Sequence, residues 1–261
     1  MLRGLYTAAA GMIAQQRRQD MLTNNLANAN TPGYKADQAS LRTFPRMLIA
    51  NLSRTYQTSS NVLATGVYLQ ERIPNFLQGS IYETGNALDV ALIDGTLPEN
   101  STLMFAVETQ NGVRYTRNGN FTLDSEGRLV TRQGMPVLDV NGNEIILQSE
   151  NFRVLTDGTI LENDVEVAQI NVVFFNNANQ LVKEGNGLFR YEGNAAPASA
   201  VGNPNVAYQI QQGFLERSNV DLQRTMTEML SAYRTFEANQ KVLQAYDQSL
   251  DKAVNQVGRI G

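Results

Sequence analysis

The sequence predicts an α+β protein whose N- and C-terminal helices form a coiled-coil domain, with a central antiparallel all-β domain between them. Three observations predict it. Apolar side chains recur at helical spacing through residues 2–28 and stop at the Asn-rich stretch NLANANTPGYK, residues 25–35. Leu222, Met229, Phe236, Leu243, Leu250 and Val257 stand at an unbroken interval of seven. Between these ends, β-branched and aromatic residues alternate and are broken by turn dipeptides at Asn111-Gly112, Asn118-Gly119, Glu126-Gly127, Asn141-Gly142 and Asp157-Gly158.

The first helix carries Leu2, Leu5, Ala9, Met12, Ile13, Leu22 and Leu26 on a narrow stripe diluted by Gln15, Gln16 and Gln19. A stripe this thin buries little apolar area, so the helix is expected to need a partner, either its own domain or a second helix. It ends where Asn24, Asn25, Asn28 and Asn30 precede Pro32-Gly33, because Asn competes for backbone hydrogen bonds and Pro-Gly supplies the dihedrals of a type II turn. One terminator would suffice. The surplus of amides is expected to make uncharged hydrogen bonds across subunit contacts between identical copies, where like charges would accumulate.

Residues 36–75 mix Gln, Ser, Thr and Asn with isolated apolar residues and are expected to be an extended connector. The β domain is placed at 76–217. Inside it, Phe121-x-Leu123-x-x-Glu126-Gly127-x-Leu129 recurs 31 positions later as Phe152-x-Val154-x-x-Asp157-Gly158-x-Ile160. Each copy is expected to be a hairpin turning at its acidic-Gly pair, an echo that convergent hairpin chemistry also produces. EGNAAPASAVGNP, residues 192–204, is poor in large apolar side chains and is expected to be a loop.

Ser218 and Asp221 form an S-x-x-D start signal, which puts the beginning of the last helix at Ser218 and the terminal domain at 218–261. About 40 helical residues would make a rod of roughly 60 Å. Met226, Tyr233, Gln240, Asp247 and Val254 form the second row of the seam, in which Gln240 and Asp247 would set register or partner choice if buried. An amphipathic helix packed on a globular core is the competing account of the same spacing.

Composition excludes several function classes. The 261 residues, 42% apolar, suffice for one large or two small cored domains. A formal charge of −4 spread along the chain offers no basic stripe, so no nucleic-acid partner is expected. There is no Cys, His or Trp, which removes disulfides, thiolate and imidazole metal ligands, and Cys- or His-based catalysis. The carboxylate pairs Asp124/Glu126 and Asp89/Asp94 are expected to serve turns and strand ends rather than glycoside hydrolysis. In DVNGNEIILQSE, residues 139–150, Asp139, Asn141, Asn143 and Glu150 fall at calcium-loop spacing, but Glu144 occupies the position that needs Gly, so a hairpin at Asn141-Gly142 is expected. The Asn-x-Ser/Thr triplets at Asn51, Asn100 and Asn120 are common by chance. No catalytic residue, cofactor, metal or small-molecule substrate is expected. No apolar run approaches the roughly 20 residues that span a bilayer, and Arg17-Arg18 follows the N-terminal apolar patch, the wrong order for a cleaved signal peptide.

MLTNNLANANTPGYK, residues 21–35, resembles the N-terminal signature of bacterial flagellar rod and hook proteins, through Asn25-Leu26-Ala27-Asn28 and Thr31-Pro32-Gly33-Tyr34. QGFLERSNVDLQRTMTEMLSAYRTFEANQKVLQ, residues 212–244, is similar to the C-terminal block of that family, including Glu216, Ser218-Asn219-Val220-Asp221 and Tyr233 to Asn239. GNALDVAL, residues 85–92, and YTRNGNFTLDSEGRLVTRQGMPVL, residues 115–138, look like the β domain of its distal-rod and hook members. LIDGTLPENSTLMF, residues 92–105, departs from the Gly-Asp-Gly-Phe-Phe-like run of typical members and favours a divergent rod paralogue of Gram-positive type.

The resemblance implies a structural subunit, not an enzyme. Such a subunit is exported by the flagellar type III apparatus without signal cleavage and polymerises with itself and neighbouring rod and hook proteins, outside the cytoplasmic membrane in the basal body. Its terminal helices would form an inner coiled-coil tube transmitting torque, with the β body outside. The expected assembly residues are Leu5, Met12, Leu22 and Leu26 on the first helix. On the last they are Leu222, Met226, Met229, Tyr233, Phe236, Gln240, Leu243, Leu250, Val254 and Val257. Asn25, Asn28, Asn30, Pro32, Gly33 and Tyr34 form the signature turn. A β domain on a coiled-coil stalk, as in a surface adhesin, is the alternative.

Overall fold

A computed structural model describes residues 2–43, 47–48, 62–63, 67–149, 152–193, 196–204, 206–252 and 255. The fold is α+β, with two helices and antiparallel sheets. It divides into a helical unit, Met1–Ala27, Asp37–Ile73 and Asp221–Gly261, and a β unit, Asn28–Ala36 and Pro74–Val220. The chain therefore passes from one unit to the other four times.

In the helical unit, α1 (Leu2–Ala27) packs against α2 (Leu222–Lys252). Gly4 lies against Tyr246, Gly11 against Asn239, and Arg18 pairs with Glu228 at 3.1 Å, so the helices run antiparallel. No helix among the described residues is long and apolar enough to cross a membrane.

The start of α2 differs from the S-x-x-D expectation. Asp221, cast by that pattern as the third helical residue, is itself the cap: its carbonyl accepts from the Thr225 N–H at 2.9 Å and its Oδ1 from the Arg224 N–H at 3.0 Å. A carboxylate serves the exposed N–H groups of a first turn better than a hydroxyl because the helix dipole adds to the hydrogen bond. Ser218 instead accepts locally from the Val220 N–H. The 31 described residues of α2 span roughly 46 Å.

The described residues of the stretch 36–75 are extended and largely paired. Strands β1 (Asp37–Thr43) and β4 (Val67–Pro74) share a two-stranded sheet, and β2 (Met47–Leu48) pairs antiparallel with β3 (Val62–Leu63).

The β unit holds β5 (Ile81–Glu83), β6 (Val90–Asp94), β7 (Thr102–Thr109), β8 (Gly112–Thr116), β9 (Phe121–Leu123), β10 (Leu129–Thr131), β11 (Phe152–Val154) and β12 (Thr159–Glu162). It continues with β13 (Val165–Gln169), β14 (Val172–Phe175), β15 (Leu181–Lys183), β16 (Leu188–Tyr191), β17 (Ala198–Ser199), β18 (Tyr208–Gln212) and β19 (Phe214–Glu216). Six of these form an antiparallel sheet in the order β15-β16-β8-β7-β14-β17, and β17 lies within the segment expected to be a loop. Strand β7 is buried on both faces. Its alternation sends Leu103, Phe105 and Val107 into the main core and Met104 and Ala106 into a second cluster with Tyr115, Phe175 and Phe189. Strands β18 and β19 return antiparallel to β6 and β5.

The two echoed segments are both hairpins. Leu123 pairs with Leu129 across a turn closed by the Gly127 N–H on the Asp124 carbonyl, and Val154 pairs with Ile160 across a turn closed by the Gly158 N–H on the Leu155 carbonyl. Phe121, Leu129, Phe152, Val154 and Ile160 all enter the main core. Asn118-Gly119 departs from the hairpin expectation: the Gly119 carbonyl accepts from the Val90 N–H at 2.9 Å, a backbone approach that leaves no space for a side chain.

Candidate functional site

At the amide-rich end of α1 the buried amide of Asn25 is taken up by backbone of the same chain, not by a subunit contact. Asn25 donates from Nδ2 to the Asp37 carbonyl at 2.8 Å and accepts on Oδ1 from the Asp37 N–H at 2.9 Å, so one side chain takes the place of a strand neighbour for the first residue of β1. Asn28 accepts from the Thr31 N–H on its carbonyl and from the Thr31 hydroxyl on Oδ1, and the Thr31 carbonyl accepts from the Tyr34 N–H, winding residues 28–34 into a compact turn. Gly33 closes it at φ +67°, a left-handed conformation suited to glycine.

Residues 28–36 meet the other sequence block within the β unit. The Gly33 N–H donates to the Glu216 carbonyl at 2.8 Å, the Ala36 N–H to Oδ1 of Asn219 at 2.7 Å, and the Asn219 N–H to the Tyr34 carbonyl. Asn219 Nδ2 donates in turn to the carbonyls of Asn75 and Leu77. Two segments about 180 residues apart thus form one polar junction, with Lys183 donating to the Lys35 carbonyl and standing 3.7 Å from the Tyr34 ring centroid.

At its centre are four ionisable side chains. Lys35 Nζ lies 2.7 Å from Glu216 Oε1 and 2.9 Å from the Leu77 carbonyl. Arg117 Nε donates to Glu216 Oε2 at 2.6 Å, while its two terminal nitrogens donate to the carbonyls of Leu103 and Leu92 at 2.7 and 2.8 Å. Asp94 Oδ1 stands 2.9 Å from Arg117 Nη1 and adds a second negative charge beside the guanidinium. Glu216 Oε1 also accepts from the Gly79 N–H. Burial pushes the Glu216 carboxyl up, but Arg117 and Lys35 outweigh it and hold the group below its ordinary value. Burial, seconded by the positive charge of Arg117, lowers Lys35. For Arg117, burial is overcome by Glu216 and Asp94, and the guanidinium is held above its ordinary value.

The helix faces sort the expected assembly residues. Met229, Phe236, Leu243 and Leu250 are half-buried, as are Leu5, Met12 and Leu26, and Leu22 is buried. Leu222, Met226, Tyr233, Gln240 and Asp247 are exposed, with Met226 at 49% and Tyr233 at 51%. The row completing the inward face is instead Thr225, Ala232, Asn239 and Tyr246. Val254 and Val257 lie outside the described side chains. In the signature turn, Asn25, Gly33 and Tyr34 are buried, Asn28 and Pro32 half-buried, and Asn30 exposed.

Sequence reasoning missed Lys35 and Arg117 as partners of Glu216 and Asp94 as a neighbour of Arg117, because no local spacing links residues joined only by the β topology. The small residues of α1 were legible in principle: Gly4 and Gly11, seven apart, sit opposite Tyr246 and Asn239 and permit close approach.

Asp124 and Asp89 are engaged in structure. Asp124 accepts from the N–H groups of Glu126 and Arg128 and pairs with the Arg128 side chain; Asp89 accepts from Asn120. In the calcium-like stretch, Asp139 Oδ1 accepts from the N–H groups of Asn141 and Asn143, the chemistry of a turn, and Glu150 lies outside the described residues. Among the described residues no three Asp or Glu side chains converge as a metal site.

Comparison with known proteins places this geometry. Residues 5–35 match the family described as "Flagella basal body rod protein", residues 102–173 "Flagellar hook protein FlgE/F/G D1 domain", and residues 211–257 "Flagellar basal body rod FlgEFG protein C-terminal". The chain is 46% identical to the flagellar hook-basal body complex protein FlhO of Bacillus subtilis over all of both chains. It is 35% identical to the flagellar basal-body rod protein FlgG of the same organism, covering 98% of this chain and 99% of that one, and 32% identical to FlgF of Caulobacter vibrioides over all of both.

Proposed function

The chain belongs to the flagellar basal-body rod and hook-basal body protein family and is a structural subunit, not an enzyme; on that premise we propose that it polymerises through its terminal helices into the torque-transmitting tube of the rod. The observation that carries this reading is the outward face of α2. Leu222, Met226, Leu230 and Tyr233 stand there exposed, and Tyr6 and Ile13 are exposed on α1. An apolar row that the chain's own helix pair leaves uncovered is what a neighbouring subunit would bury. A contact between unlike faces repeats from copy to copy and, where its rotation does not close a ring, generates a helical assembly.

On this reading α1 and α2 form the coiled-coil domain, the partners are further copies and adjacent rod and hook proteins, and the subunit sits in the basal body outside the cytoplasmic membrane after type III export without signal cleavage. The stalked-adhesin alternative gives way to the full-length match to rod proteins.

The test is to purify hook-basal bodies and identify their subunits by mass spectrometry. The chain should be present, and a Met226→Glu variant should be made at normal level yet be missing from them. Absence of the wild-type chain would overturn the reading.

A further inference from the structure

We propose that residues 28–36 are a plug whose tip, the Lys35 ammonium, docks into a preformed anionic socket of the β unit, and that Lys35 is the residue positioning the chain between α1 and β1. The socket is built without the plug. Glu216 Oε2 is held by Arg117 Nε at 2.6 Å, Oε1 by the Gly79 N–H at 2.9 Å, and Arg117 is further held by the Leu92 and Leu103 carbonyls and by Asp94. Two carboxylates and one guanidinium leave one negative charge, which faces the Leu77 carbonyl across the space that Lys35 Nζ occupies. A primary ammonium is the chemistry that such a carboxylate–carbonyl pair recognises.

The two sides are unequal. Without Lys35, Glu216 still has Arg117 and Gly79; without Glu216, Lys35 keeps only the Leu77 carbonyl among its acceptors, buried in a region that strongly disfavours an unpaired charge. The charged groups facing the junction are Lys35, Glu216, Arg117, Asp94 and, on the outer side, Lys183. The rest of the loop is held by hydrogen bonds that form in register only with the tip in place: Gly33 N–H to the Glu216 carbonyl, Ala36 N–H to Asn219, and Asn75 N–H to the Ala36 carbonyl. Docking is a property of the β unit alone. It does not rest on the rod-subunit reading.

Hydrogen exchange read by mass spectrometry on the purified full-length chain tests the plug without reference to the rod. In Lys35→Ala the amides of Gly33 and Ala36 should exchange at least tenfold faster, while those of Met104 to Val107 in β7 keep the wild-type rate. Millimolar n-butylammonium should restore protection where sodium at equal ionic strength does not. Lys35→Met, which supplies the stem without the charge, should lose protection as Lys35→Ala does. Unchanged exchange in 28–36, faster exchange in β7 alongside it, full protection in Lys35→Met, or no rescue by the amine would each overturn the proposal. A docked plug in a chain that never enters hook-basal bodies would leave the plug standing and remove only the rod reading.

Discussion

Arg117 Nε donates to Glu216 Oε2 at 2.6 Å with both side chains withdrawn from solvent. The pair joins the segment between β8 and β9 to the last strand of the β unit, and Glu216 passes the same charge on to Lys35 through its other oxygen. The family's N-terminal signature and its C-terminal block are therefore two walls of one buried junction.

Removing the guanidinium should cost more than removing any other member. Arg117→Met takes their shared cation from the buried Glu216, which keeps Lys35, and from the half-buried Asp94, a loss of about 3–5 kcal/mol by analogy with broken buried pairs. Urea unfolding of the purified chain should show that loss as a lower midpoint. A change below about 1 kcal/mol would mean the junction is hydrated and weak.

Gly33→Ala should destabilise more than Gly85→Ala, although both glycines have positive φ, +67° and +70°. At Gly85 an added methyl meets nothing within 4 Å, and the cost is the left-handed backbone alone, about 1–2 kcal/mol. At Gly33 it would sit 2.5 Å from the Arg117 carbonyl carbon, a backbone atom that cannot rotate away. Comparing melting temperatures of the two variants separates strain from collision.

Asn25→Ala deprives the Asp37 N–H and carbonyl of their side-chain partner at once, and should cost about 1–3 kcal/mol. Asn25→Asp, nearly isosteric, keeps the acceptor for the Asp37 N–H and loses the donor to its carbonyl. Amide exchange at Asp37 should therefore rise sharply in the alanine variant and little in the aspartate one.

The two faces of α2 should separate folding from assembly. Ala232, 1% exposed, has no room or partner for a carboxylate, so Ala232→Glu should lower the helicity of the isolated chain. Met226→Glu, on the outward face, should leave circular dichroism unchanged and remove the chain from hook-basal bodies. Phe236→Asp, half-buried, should do both while sparing the β unit.

Acid should loosen the junction through Glu216. Its carboxyl lies below the ordinary 4.5 in the folded chain, so its contribution is complete above that value and is lost as pH falls through the lowered folded one. Wild-type stability should therefore fall more steeply than that of Glu216→Gln as the pH drops below 4.5. Asp124, Glu184 and Glu228, also lowered by their arginine partners, are common to both proteins and cancel in the difference.

Hairpins were the most legible part of the fold. The acidic-Gly turns at 126–127 and 157–158 act through neighbours in sequence, and both appear where the echoed pattern puts them. Asn118-Gly119 carried the same local chemistry and became a backbone crossing under Val90, because the approach of β6 and not the dipeptide decides what that glycine does. The start of α2 lay between these cases: Ser218 and Asp221 both cap well, and which one does so depends on where the preceding strand releases the chain.

By itself the sequence determined that both ends are helical, that the middle is antiparallel β, and that an interval of seven runs through Met229, Phe236, Leu243 and Leu250, since periodicity and turn chemistry are properties of neighbours along the chain. Tertiary structure decided the other row of that seam. A period of seven residues per two turns admits a companion row on either flank, and apolar character favours Met226 and Tyr233. Packing took Thr225, Ala232, Asn239 and Tyr246 instead, and Gly4 and Gly11 of α1 lie directly against Tyr246 and Asn239. The glycines of α1 leave room for Asn239 and Tyr246 on the inner face, and Met226 and Tyr233 stay outside. The same distinction governs the buried charges: Lys35, Asp94, Arg117 and Glu216 are ordinary surface residue types in sequence, and only the folded β unit makes them partners.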